Sequence, residues 1–229
     1  MSIKLSQGKK ELFAVTNPYF KDKGYKFNDA KKTGVGYSLN LKHVKILLIF
    51  DFKTKSSLHK LLPFSIFHEP VENLINEIGK PNFSDSGNVS WRTVKDSLPN
   101  YHESELNDIN FNTLLSFRQW GHLIVDYAQG PGQAFIDTYS YLPNVLKEMD
   151  RLETEGKYWK EILVGLADYD FRGLIISKLC SDPNFEEKVA SRDEVFYNVP
   201  QLKDWIPYYN KLKERLKTVE PIYPYYKNV

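Results

Sequence analysis

Val44-Lys45-Ile46-Leu47-Leu48-Ile49-Phe50-Asp51-Phe52 is the stretch on which the fold turns. Its middle is apolar, and its two charges, Lys45 and Asp51, stand near the ends. A strand wetted on one face alternates polar and apolar side chains, whereas a run apolar at consecutive positions must be covered on both faces. The stretch therefore predicts a central strand. Upstream, Tyr25 to Asn28 and Val35 to Leu41 alternate as half-buried strands do. Lys42-His43 could join the second of these to the central strand as a hairpin. It lacks the glycine or asparagine that a two-residue turn favours, so one long bent strand from Gly36 to Phe52 is the alternative.

Toward the N-terminus, Leu12, Phe13, Thr16, Tyr19 and Phe20 fall on one helical face, with Ser6 placed to cap, Pro18 to kink and Gly24 to stop the helix. Toward the C-terminus, Pro70 to Ile78 predicts a short helix closed by Gly79, and Val89 to Val94 a strand. Lys95 to Asn110 is a polar loop. Phe111 to Phe117 and Leu123 to Ala128 predict two more strands joined at Gln119-Trp120-Gly121, and Gln129 to Gln133 ends the sheet. Helical spacing then takes over. It links Leu142, Val145, Leu146, Met149 and Leu152, then Trp159, Ile162, Leu163 and Leu166, then Phe171, Leu174, Ile175 and Leu179. Asp182-Pro183 starts another helix, and Tyr209, Leu212, Leu216 and Val219 mark the last, with Pro207 near its start. Strands followed by helices predict an α+β fold: an N-terminal helix, a mainly antiparallel sheet and a helical C-terminal half. The expected division is a sheet domain over 1–137, with lysine-rich first strands, and a helical subdomain over 138–229 packed on it. A single domain is the alternative.

The chain has 229 residues, 41% hydrophobic and 26% charged, enough apolar material for a packed core. Cys180 is its one cysteine, which excludes an internal disulfide framework and multi-cysteine metal sites. Residues 1–8 carry no apolar leader pattern, and the longest strongly apolar run, Ile46 to Phe50, falls far short of the ~20 residues that span a bilayer. The expectation is a cytoplasmic protein without a membrane partner.

The net charge of +2 conceals an uneven layout. Residues 1–60 hold 13 lysines, no arginine and 4 acids, a net +9. Residues 61–137 hold 4 basic side chains against 10 acids, a net −6, and residues 138–229 hold 14 against 15. Lys26, Lys31, Lys32, Lys42, Lys45, Lys53, Lys55 and Lys60, with Tyr25 and Tyr37 among them, are thus the candidate binding residues of an anion-facing surface. Lysine is a flexible point charge suited to phosphate backbones or acidic protein patches, while bidentate base reading favours arginine. The function read from this is non-enzymatic: a binding or accessory protein that recognises an acidic partner, protein or nucleic-acid backbone. The same lysines could instead solubilise strand edges.

Catalytic patterns are sparse. On an extended strand, His122 and Asp126 would lie roughly 14 Å apart, too far to touch. With a turn at 119–121, Arg118 would face His122 across a hairpin, which makes this pair, together with His102, the centre of an alternative reading as a small enzyme. His102, Glu103, Glu105 and Asp108 match no metal-ligand spacing, and Asp168-Tyr169-Asp170-Phe171-Arg172-Gly173 opens like a calcium loop but has Arg172 at the fifth position and Leu179 at the twelfth. Gly34-Val35-Gly36 and Gly130-Pro131-Gly132 lack the third glycine of a dinucleotide loop. No metal and no cofactor are expected. Cys180 reads as a small core residue. The aromatic tail Tyr223-Pro224-Tyr225-Tyr226 either packs back or docks on a partner, and a structural subunit built on the helical half is a third reading.

Overall fold

A computed structural model describes residues 4–30, 34–52, 59–81, 92–96, 109 and 111–228. It is 60% helical and 16% strand, an α+β fold with an N-terminal helix, an antiparallel sheet and a mostly helical C-terminal half. The elements are α1 (Leu5–Asp22), β1 (Lys26–Ala30), β2 (Gly34–Leu41), β3 (Val44–Asp51), β4 (Lys60–His68), α2 (Glu69–Ile78) and β5 (Val94–Lys95). There follow α3 (Leu114–Gln129), α4 (Pro131–Tyr139), α5 (Leu142–Thr154), α6 (Asp168–Leu179), α7 (Phe185–Asn198) and α8 (Ile206–Leu216). The strands lie in the order β1-β2-β3-β4-β5. The apolar stretch is the third of the five, with Ile46 and Leu48 fully buried. Contacts divide the chain into two compact units, Met1–Ile66 with Asp96–Asp137, and Phe67–Lys95 with Thr138–Val229.

In the first unit, β1, β2 and β3 form an antiparallel meander with Phe27 opposite Tyr37 and Tyr37 opposite Leu48. The β2–β3 hairpin exists despite its unusual turn: His43 takes the left-handed position at φ 61°. Histidine tolerates that region better than most side chains, which is why the missing glycine did not prevent the turn. Helix α1 covers one sheet face. Phe20 stacks on Tyr37 at 4.1 Å, and Phe13 meets Phe27 at 4.7 Å. It begins at Leu5 with Lys4 rather than Ser6 at the cap, and continues through Pro18 to Asp22.

The two strands expected between Phe111 and Ala128 are instead the single helix α3. Ser116, Phe117, Trp120, Gly121, Ile124, Tyr127 and Ala128 are its buried residues, a spacing of three and four that the short apolar runs disguised as alternation. Thr113 and Ser116 close a reciprocal cap at its start. Helix α3 packs on α1 through small residues. A Cβ on Gly8 would stand 2.4 Å from Phe117, and one on Gly121 2.9 Å from Val15. Gly130 and Pro131, expected to end a sheet, join α3 to α4.

In the second unit α6 is the central helix, buried from Asp170 to Ser177. Its Phe171 packs against Phe196 and Tyr209, and fully burying each such ring contributes about 2 kcal/mol or more. The helix expected around Trp159 to Leu166 is only a 3₁₀ turn, Trp159–Glu161. Leu163 bridges to Val94 in extended backbone, and Leu166 is 84% exposed. Tyr225 is buried and Tyr226 donates to Asp150 Oδ2 (2.8 Å), so the aromatic tail packs back on its own unit. Of the strand expected over Val89 to Val94, Val94–Lys95 is strand, and residues 82–91 lie outside the described residues. Among the described residues no helix is long and apolar enough to cross a membrane.

Candidate functional site

Directly opposed residues of a sheet share a face. The register therefore puts Phe27, Tyr37 and Leu48 on the face under α1, and Lys26, Ser38 and Leu47 on the other, together with Asn40 and Lys45. Lys26 is exposed and Lys45 half-buried; Lys42 is exposed in the β2–β3 turn, and Lys60 is exposed at the start of β4. Lys31, Lys32, Lys53 and Lys55 lie outside the described residues.

The topology brings two further lysines to Lys26 and Lys42. Helix α1 ends, β1 begins and the β2–β3 turn closes at one end of the meander, because Leu41 runs three residues past Lys26's partner Ser38. Lys21 and Lys23, at the end of α1, are exposed there. Lys23 lines a cleft of about 590 Å³ with Tyr19, Leu39 and Leu41, which places the helix end beside the β2 end. Among the described residues no carboxylate forms an ion pair with Lys21, Lys23, Lys26 or Lys42. Lys21 and Lys23 belong to the basic total of residues 1–60 but are not among the candidate binding lysines named from the sequence. Their place in the last turn of an amphipathic helix leading straight into β1 was the available signal.

Beside these lysines a groove of about 680 Å³ opens between α1 and β1, lined by Phe13, Ala14, Pro18, Tyr25, Phe27 and Tyr37, with Lys21 at its rim. Phe27 is 40% exposed in it. At its floor the Tyr37 hydroxyl donates to Asn17 Oδ1 (2.7 Å) and lies 2.6 Å from Thr16 Oγ1. Burial pushes the Tyr37 hydroxyl well above the ordinary tyrosine range, against a smaller opposing effect from Thr16, so it stays a neutral donor. Pro18, inside the helix, has no N–H to give the Ala14 carbonyl.

Arg118 and His122 do not face each other across a hairpin, since both lie on α3, one turn apart and exposed. Arg118 Nε and Nη2 donate to Glu11 Oε2 at 3.2 and 2.6 Å, tying α3 to α1. His102, Glu103, Glu105 and Asp108 lie outside the described residues. Among the described residues no group of three or more His, Cys, Asp or Glu side chains is arranged to hold a metal ion.

The second unit holds a charged cleft of about 590 Å³ whose lining includes Asp150, Glu153, Lys188 and Tyr226. Lys188 Nζ, buried, donates to Asp150 and to Asp182 Oδ2 (2.6 Å). Behind it, Arg192 reaches Asp170 (3.0 Å) and Glu153 (2.9 Å) and lies 4.2 Å over the Trp159 ring. Each carboxylate meets a cation, so the arrangement neutralises buried charge. The calcium-like opening at Asp168 has a similar explanation: Asp168 Oδ2 accepts from Arg172 Nη1 (2.7 Å), the residue that breaks the loop pattern.

Comparison with protein-family models, with curated proteins and with solved structures finds no match.

Proposed function

We propose that this chain is a non-enzymatic, cytoplasmic binding protein that recognises an acidic partner through the lysine-rich end of its first unit. The observation that carries the reading is the meeting of Lys21, Lys23, Lys26 and Lys42 at one end of the α1 and β1–β3 layers, with no carboxylate among the described residues paired to them. An excess of ammonium groups over carboxylates at one end produces a local field that the net charge of +2 hides. Asp22 stands between Lys21 and Lys23 and Asp137 lines the same cleft as Lys23, so the lysines at this end outnumber the acids beside them, while Glu11 on α1 is held by Arg118.

The test is titration of labelled polyglutamate and of a labelled single-stranded oligonucleotide across salt. Binding to at least one should weaken by an order of magnitude or more between about 50 and 200 mM salt. The variant K21E/K26E/K42E should lose it while keeping the native circular dichroism spectrum. Affinity indifferent to salt and to this charge reversal overturns the reading.

A further inference from the structure

Resting on that reading, we infer that the partner is an extended acidic protein segment that adds as a strand to β1, seating an apolar side chain in the groove beside Phe27.

Among the described residues β1 pairs only with β2 and stands at the edge of the sheet that these residues form. An edge strand turns the N–H and C=O of every second residue outward, a ready template for another strand about 4.8 Å away. The side chains of an added strand continue the rows already present. One row runs through Phe27, Tyr37 and Leu48, on the face under α1. The incoming residue opposite Phe27 therefore points into the groove, against Phe13, Ala14 and Pro18. The next row runs through Lys26, Ser38 and Leu47 on the far face, so the neighbouring incoming residue stands beside Lys26. Lys21 at the rim and Lys23 beyond it, with Lys26, outnumber Asp22 between them and favour acidic residues at that end, whereas Asp29 near the other end of β1 disfavours them there. The surface thus selects an apolar residue next to acidic ones in one extended segment. A nucleic-acid strand supplies the charge but neither the backbone donors nor the alternation.

Three labelled probes of equal net charge test this on the whole protein: an acidic peptide with a central phenylalanine, the same peptide with serine in its place, and single-stranded oligothymidylate. The phenylalanine peptide should bind about tenfold tighter than the serine peptide, the value of burying one large apolar side chain. It should also slow amide exchange across Lys26–Ala30. Ala14→Trp, at an exposed helix position, fills the groove and should abolish the preference for the phenylalanine peptide over the serine peptide. Phe27→Ser should do the same if the bulkier change disturbs α1. Equal affinity for all three probes, or tighter binding of the oligonucleotide, overturns strand addition and leaves the acidic-partner reading standing. Tight phenylalanine-peptide binding that K21E/K26E/K42E does not weaken overturns both the acidic specificity argued here and the acidic-partner reading. No binding of any probe at low salt overturns both proposals.

Discussion

The Arg172 guanidinium forks onto the Glu72 carboxylate, 100 positions earlier, with Nε 2.8 Å from Oε1 and Nη2 2.9 Å from Oε2. Both side chains are fully buried, and the fork joins α6 to α2. Thr93 Oγ1 also donates to Glu72 (2.9 Å), and the Val164 carbonyl and Asp168 accept from Arg172 Nη1. A buried ion pair this fully hydrogen-bonded specifies one packing. Its net contribution to stability is small, but breaking it is costly.

Removing one partner therefore leaves an uncompensated buried charge. Arg172→Met should destabilise the protein by about 3–5 kcal/mol in urea unfolding. The double variant Glu72→Leu/Arg172→Met should regain part of that loss. A single variant as stable as the parent would show that the fork does not form.

Stability against pH should carry two opposed contributions. Burial pulls His68 down to about 4, although its Nε2–H donates to the Tyr139 carbonyl (2.9 Å). The unfolded chain then binds the proton more readily, so this contribution is intact above the ordinary value of 6.5 and is lost as pH falls toward 4. The loss is on the order of 3 kcal/mol, and His68→Gln should remove it. Burial pushes Asp170 up to about 6 against the pull of Arg192. Here the folded chain holds the proton more tightly, so stability falls as pH rises from about 4 to about 6. Asp170→Asn should make the acid-side decline steeper. Melting temperatures of the three proteins across this window separate the two effects.

Gly173 lies mid-helix, where alanine would ordinarily gain about 1 kcal/mol. A Cβ there would stand 2.1 Å from the fully buried Trp159 ring. The clash should win, giving Gly173→Ala a net loss of roughly 1–3 kcal/mol in denaturant unfolding.

Cys180 is buried, and burial pushes its thiol far above the ordinary range. Iodoacetamide should label it only as fast as the protein opens, and urea should accelerate labelling in step with unfolding. Rapid alkylation under native conditions would contradict this packing.

The lysine-rich start and the elements with long, clean periodicity were legible in the sequence. The apolar middle of Val44–Phe52 required a covered strand, and the spacing from Leu142 to Leu152 required a helix, because each pattern repeats within one element and depends only on backbone geometry. Phe111 to Ala128 is ambiguous in sequence because short apolar runs around Trp120 satisfy either period, and the choice falls to packing against α1, where Gly8 and Gly121 admit close contact. Charge counting found the basic segment, but only the chain's return from β2 to β3 brought Lys42 to the end where Lys21, Lys23 and Lys26 lie. Likewise no local pattern joins Glu72 to Arg172 or sets β1 at the edge of the sheet among the described residues. The sequence by itself determined element types and where charge concentrates, since both are set by neighbours along the chain. The tertiary structure alone decided which charges stand together and which face stays open, since those depend on contacts between residues far apart in the chain.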